Sequence, residues 1–192
     1  MKDILLIGAG GHCQSCIDVI EQIGGWRIAG IVDSKESSIS DVMGYPVIGT
    51  DENLSDLRRK YDRAFVTIGQ ITSAEIRIRL FKKLKSLGFK QPTFVSPFAY
   101  VSKHAIVGDG TIIMHHALIN TNAKIGNNCI INTKALIEHG AVVQDHCHIS
   151  TGAIINGEVI IGEQSFIGSR VVTKQTVSIP TQSFIKAGSL VK

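Results

Sequence analysis

Residues 123–155 read AKIGNNCIINTKALIEHGAVVQDHCHISTGAII, and the beat of this stretch decides the fold. Ile125, Ile131, Ile137, Val143, Ile149 and Ile155 recur every six residues. The series runs back through Ile119 and Ile113 to Val107 and forward through Ile161 to Ile167; Thr173 interrupts it and Ile179 resumes it. Two positions earlier in each hexad stand small residues, among them Ala117, Ala123, Cys129, Ala135, Ala141, Cys147 and Ala153. On a helix, steps of six carry successive side chains about 240° around the axis, so no single face forms. On a strand six is an even number, and every aliphatic side chain points to one side. A straight strand of this length is not credible, so the chain must turn about every six residues. Three segments then make a coil of eighteen, with inward aliphatic residues stacking on those of adjacent coils. This is a hexapeptide-repeat parallel β-helix of roughly four coils over 107–179. Gly108, Gly126, Gly162 and Gly168 fit positive-φ corner positions, and Cys129 and Cys147 read as small residues in a crowded corner.

Before residue 100 the pattern is different. DILLIG (3–8), RIAGIVD (27–33) and AFVTIG (64–69) read as buried strands, and PTFV (92–95) as a fourth. Between them lie helical stretches at 12–23, 51–61 and 73–87, the last with Ile76, Leu80, Leu84 and Leu87 at steps of three and four. Gly88 sits where a helix stop is expected. Alternating strands and helices argue for a small Rossmann-like parallel sheet covered on both faces. The fold class is therefore α/β plus β.

Composition excludes several classes. Of 192 residues 44% are hydrophobic and 19% charged, which rules out a disordered chain. A net charge of +4, scattered apart from the stretch at Lys82–Lys85, gives little footing for a nucleic-acid partner. No apolar run approaches the ~20 residues of a membrane span, and Met1-Lys2-Asp3 leads straight into a strand rather than a leader peptide. Four unevenly spaced cysteines do not make a secreted disulfide framework. The expectation is a cytoplasmic protein with neither nucleic-acid nor membrane partners.

Two sets of residues carry chemistry. Gly8, Gly10 and Gly11 follow a strand and precede a helix, where backbone N–H groups and the helix amino end suit a phosphate. Asp33 ends the next strand, where a carboxylate can take a ribose or base donor. The fingerprint lacks its last glycine and has no second mononucleotide half, so one nucleotide, or the sugar attached to it, fits better than NAD. In the repeats, His139 stands two positions after Ile137, leaves the interior and lies at a corner or outer face. Cys13-x-x-Cys16 could signal redox or zinc chemistry and the His146-Cys147-His148 run metal, but neither has a second cluster to complete a ligand set.

The combination resembles the bacterial sugar acetyltransferases. That family includes N-acetyltransferases of UDP-4-amino sugars, relatives acting on GDP-linked amino sugars, and sialic acid O-acetyltransferases. The matching landmarks are GAGGH (8–12), IVD (31–33), IG (68–69), EIR (75–77), IEH (137–139) and HISTGA (148–153). The resemblance implies a left-handed β-helix, an acetyl-CoA donor and no metal, with residues 1–98 binding a nucleotide sugar and 99–192 binding acetyl-CoA. It implies a homotrimer with active sites between neighbouring β-helices. His139 takes the general-base position, since a base must remove the proton of the attacking amine or hydroxyl. The family usually places Glu or Asp directly after this histidine; here it is Gly140, so either Glu138 substitutes, a backbone carbonyl orients the ring, or activity is weaker than usual. His148 takes a position near the thioester, where an imidazole N–H could donate to the carbonyl oxygen. Ser169, Ala187 and Gly188 would line the CoA channel. Gly10, Gly11, His12, Asp33 and Gly69 would line the substrate pocket, with Arg77 contributing charge. The chain ends at Lys192, short of the family's Gly-x-Pro-Ala-Lys-like tail, and the resemblance implies either an adenine end of CoA that is less fully held or a shortened chain. The expected activity is acetylation of an amino group on a nucleotide-linked sugar for surface glycan synthesis. O-acetylation of a sialic or nonulosonic acid, a binding protein with reduced catalysis, and a zinc lyase holding metal between subunits are the rivals.

Overall fold

A computed structural model describes all residues from Met1 to Lys192, and they fall into two compact units. The first comprises Met1–Gly69 with Glu75–Pro92, the second Gln70–Ala74 with Thr93–Lys192.

The first unit is built on β1 (Lys2–Ile7), β2 (Trp26–Asp33), β3 (Asp41–Val42), β4 (Tyr45–Thr50) and β5 (Ala64–Val66), in the spatial order β3-β4-β2-β1-β5. All pairings are parallel except β3 with β4, a hairpin turned by Met43 and Gly44, both at positive φ. Residues Ile4–Leu6 of β1 are fully buried, as expected for a strand covered on both faces. Leu5 and Ile7 pack with Leu80, Phe81 and Leu84 of helix α3 (Glu75–Ser86) and with Leu54 of α2 (Leu54–Arg58). Helix α1 (Gly11–Ile23) buries Cys13, Cys16, Ile17 and Ile20. Its chain then leaves through Gly24 and Gly25, and Gly88, at φ 80°, ends the turn after α3.

Two expectations need correction here. The fourth strand of this sheet is β4, not 92–95; YPVIGT hides as a strand because Pro46 and Gly49 interrupt its apolar run. Phe94–Val95 instead pairs with Ile112–Ile113, so it is the first rung of the second unit. The helix expected over 51–61 is a single 3₁₀ turn at Asp51–Asn53 followed by the short α2.

The second unit is a stack of two-residue parallel strands in sheets of six, six and five. Partners are eighteen residues apart throughout, as in Leu118 with Leu136 and Leu136 with Ile154. One face carries Phe94–Val95, Ile112–Ile113, Ile130–Ile131, His148–Ile149, Phe166–Ile167 and Phe184–Ile185; we term it the first face. The second runs from Tyr100–Val101 to Leu190–Val191, and the third from Ile106–Val107 to Ser178–Ile179. The second residue of each strand points inward. Ile113, Ile119, Ile131, Ile137, Ile149, Ile155, Ile161 and Ile167 are each wholly buried in one continuous core with the small corner residues Ala123, Cys129, Ala141, Cys147 and Ala153. Each buried aliphatic side chain contributes about 1.5–3 kcal/mol against exposure.

The corners turn by a left-handed residue every six positions, without a gap from Gly110 to Gly188, with φ between 52° and 72°. Only four of these are glycine; the others include His116, Asn128, Lys134, His146 and Arg170. Gly108, Gly126, Gly162 and Gly168 are not among them, contrary to the sequence expectation. They are glycine for want of room: a Cβ on Gly126 or Gly168 would lie 2.7 or 2.5 Å from a backbone nitrogen of the next coil.

Candidate active site

The strand Leu136–Ile137 sends Ile137 into the core and delivers the chain to the corner between the second and third faces. Gly140 makes the turn at φ 68°, and His139, just before it, is exposed. The backbone at this corner is held from both sides. Glu138 Oε2 accepts from Asn120 Nδ2 at 2.7 Å and from the backbone N–H of His139 at 3.2 Å. The carbonyl of His139 accepts from the N–H of Glu158 at 3.0 Å. Neither nitrogen of the His139 ring has a hydrogen-bond partner within the chain. Glu138 thus fixes the peptide that carries His139 and makes no hydrogen bond to the imidazole, so the reading in which it orients the ring gives way to one in which it steadies the corner.

His148 occupies a different environment. It lies in the middle of the first face and is 7% exposed. Its Nδ1 meets the carbonyl oxygen of Gln70 at 2.5 Å, and its Nε2 meets Nδ2 of Asn132 at 3.2 Å. A carbonyl only accepts, so Nδ1 carries the proton; Asn132 Oδ1 already accepts from Thr133, so its amide N–H donates to Nε2. The result is a neutral imidazole with both nitrogens engaged and its edge against Phe166, which stacks in turn on Phe184. The donation to a thioester expected of His148 has no spare N–H here. The decisive partner, Gln70, is 78 residues away in sequence, itself buried and donating from Nε2 to the carbonyl of His146. Between the two histidines, Cys147 points its sulfur inward to the carbonyl of Gly162, so the three residues do not converge.

Ser169, Ala187 and Gly188 lie together on another edge of the β-helix, the corner between the first and second faces. The Ser169 hydroxyl meets that of Ser150 at 3.0 Å, and its carbonyl accepts from the N–H of Gly188 at 2.8 Å; Ala187 and Gly188 are exposed. The second face separates this group from His139.

In the first unit, Gly8 turns at φ 112°, where any side chain would strike Ile68. Gly10 caps α1 and Gly11 opens it, and the space where either would carry a Cβ is empty, leaving the helix amino end open to a ligand. A Cβ on Gly69 would rest 3.5 Å from that of His12, which places these two side by side. Asp33, at the end of β2, borders a cleft of about 350 Å³ together with Gly8, Ser34, Glu36, Ile68 and Arg79. Arg77 is elsewhere. It is 1% exposed, and its Nη1 donates to the carbonyls of Val66 and Ile68 at 3.1 and 2.5 Å. Its charge is spent on the end of β5, and the cation at the cleft is Arg79, which sequence reasoning missed. The signal was present: Arg77, Leu80, Phe81 and Leu84 follow the i, i+3, i+4, i+7 pattern of a buried helix face, which puts residue 77 inside. Cys13 and Cys16 are buried in the same unit, and desolvation pushes the Cys13 thiol up to about 11 and Cys16 further still.

Known proteins share this fold. The family model of the PglD N-terminal domain matches residues 3–84. UDP-N-acetylbacillosamine N-acetyltransferase of Bacillus subtilis (strain 168) is 30% identical over 114 residues, which are 59% of this chain and 52% of that enzyme, so the match spans about half the length of that relative. A histidine-to-asparagine mutant of perosamine N-acetyltransferase from Caulobacter crescentus, solved with CoA and GDP-perosamine, superimposes with a TM-score of 0.93 at 30% identity, over 100% of this chain and 89% of that one. The acetyltransferase domain of PglB from Neisseria gonorrhoeae FA1090, solved with acetyl coenzyme A, gives 0.89 at 29% identity, over 99% and 92%.

Proposed function

The chain belongs to the family of bacterial sugar acetyltransferases, and from that premise we propose that it moves the acetyl group of acetyl-CoA onto the amino group of a nucleotide-linked amino sugar, with His139 as the general base. The neutral amine attacks the thioester carbonyl carbon, a C–N bond forms, and the C–S bond breaks. The proton leaving the nitrogen passes to the His139 imidazole and from there to the departing CoA thiolate, so the ring is unchanged at the end of the cycle. A base in this role needs a ring nitrogen unclaimed by the fold. The observation that carries the reading is that His139 is exposed with both nitrogens unengaged, whereas those of His148 are both taken.

Other features agree. The open glycine loop at Gly10 and Gly11 suits a phosphate, and Asp33 and Arg79, which share a cleft with Gly8, suit the rest of a nucleotide. We assign the first unit to the nucleotide sugar and the second to acetyl-CoA, with half-buried Ser169 and exposed Ala187 and Gly188 along the cofactor's path. The second face of the β-helix presents an outward apolar column of Tyr100, Leu118, Leu136, Ile154, Val172 and Leu190, with Tyr100 and Leu190 each 60% exposed. Such a column favours packing against further copies of the chain, which supports a homotrimer. No helix is long and apolar enough to cross a membrane. The four cysteines form no disulfide with one another, which is compatible with a reducing compartment. Activity toward an amine is favoured over O-acetylation of a sialic acid because the named relatives are N-acetyltransferases.

The test is release of CoA thiol from acetyl-CoA, measured with UDP- and GDP-linked 4-amino sugars and with free sialic acid. Turnover of an amino sugar, and none of its 4-hydroxy counterpart, is expected. Turnover of sialic acid alone would overturn the reading, and CoA binding without any turnover would favour a binding protein.

A further inference from the structure

A general base has to aim at one proton, yet nothing hydrogen-bonds the His139 ring: Glu138 is engaged with Asn120 and the backbone, and Gly140 has no side chain. What the ring does touch is Gly157, one coil of eighteen residues further on at the same corner. A Cβ built on Gly157 would lie 2.8 Å from both Cε1 and Nε2 of His139 and 3.5 Å from Cδ2. Carbon contacts settle at about 3.5–4.0 Å, so any side chain there drives the ring outward by roughly half an ångström or more. Backbone conformation does not demand glycine at this position, because Gly157 is not among the left-handed residues; Glu158 makes that turn, at φ 59°. The same place on other coils holds Lys103, Thr121 and Gln175. Gly157 is buried although its corner faces solvent, and the imidazole that crosses it is exposed.

We propose that Gly157 is a positioning residue for the base: the volume its side chain would fill is the seat of the His139 imidazole, and contact with this seat aims the ring in place of a hydrogen-bonding partner. The proposal rests on the reading of His139 as the base, and it explains how the base is held although residue 140 offers nothing to hold it.

Gly157→Ala tests the seat through three readouts. The His139 Cε1–H and Cδ2–H resonances should shift in the variant while those of the other histidines stay. With acetyl-CoA and the amino sugar that supports turnover, kcat should fall roughly ten- to hundredfold, as for misplacement of a catalytic group by part of an ångström, with KM for acetyl-CoA nearly unchanged. Any loss in thermal midpoint, including failure to fold, should vanish when Gly157→Ala is made in a His139→Ala background, because the clash has gone. Unmoved resonances, or an equal stability loss in both backgrounds, would overturn the seat. Shifted resonances with an undiminished kcat would instead overturn His139 as the base, and the positioning role with it.

Discussion

Two histidines nine positions apart in one β-helix live under opposite rules. His148 sits on a strand with Nδ1 donating to Gln70 and Nε2 accepting from Asn132, closed off from solvent and fixed in one tautomer. His139 sits on a corner with its peptide pinned and its ring unclaimed. The first ring is consumed by the fold; the second is presented by it. Helix α3 repeats the contrast with its two arginines, Arg77 spent on backbone carbonyls and Arg79 left open at a cleft. In each pair, residue type is the same and only the list of engaged atoms sets the two apart.

Alanine at each histidine gives the largest effect that breaks or sustains this contrast. His139→Ala should cost 10²–10⁴-fold in kcat with little change in thermal midpoint, since its ring has no internal bonds to lose. Steady-state kinetics with calorimetry would read both, and retention of more than about a tenth of the wild-type rate would remove His139 from the mechanism. For the arginines, Arg77→Met should destabilise by roughly 2–4 kcal/mol, because two carbonyls lose a charged donor in the interior. Arg79→Ala should leave stability alone and raise KM for the nucleotide sugar. Urea titration and saturation kinetics would show whether the effects divide this way.

His148→Ala should destabilise by about 1–3 kcal/mol, the cost of leaving the Gln70 carbonyl and the Asn132 amide unmatched. A large kcat loss at full stability would contradict the structural role assigned to it. The buried thiols give a smaller, pH-dependent effect. Burial raises Cys13 to about 11, and Cys16 and Cys147 further, from an ordinary value of 9.0. The unfolded chain loses these protons first, so the stability they contribute is whole below pH 9 and drains away as pH rises through 11. Denaturation midpoints measured from pH 8 to 11 should be level and then fall, and a level profile throughout would argue against closed thiol sites. Smallest of all, Glu138→Gln keeps an acceptor for Asn120 and for the His139 N–H, so kcat should change by less than roughly threefold. A loss of a hundredfold would mean that the carboxylate acts on the ring after all.

The β-helix was open to sequence reading because its inward positions are chemically uniform: Ile or Val every six residues can satisfy only a coil that turns at that interval. Its corners were not, since the left-handed conformation is imposed by the coil on Asn, His, Lys, Glu, Gln and Arg alike and leaves no mark in residue type. That is why the glycines at 108, 126, 162 and 168, which answer to close approach between coils, looked like turn formers. Phe94–Val95 was misplaced for a related reason, because a two-residue strand is defined by a partner eighteen residues on and not by its own composition. At the site, the exposure of His139 followed from its offset from Ile137. The engagement of His148 depended on Gln70, far away in sequence, and no local pattern contains that information. Arg77 was different: its place on the buried helix face was legible, and the resemblance, which put its charge at the substrate pocket, hid it.

Single-turnover acetyl transfer by His139→Asn, with acetyl-CoA and the amino sugar both saturating, separates chemistry from binding more directly than any other measurement. A general-base role for His139 requires that both ligands bind with affinities close to those of the unaltered protein while the transfer step slows at least roughly a hundredfold. Transfer within tenfold of the unaltered rate, or loss of binding as the source of the defect, would contradict it.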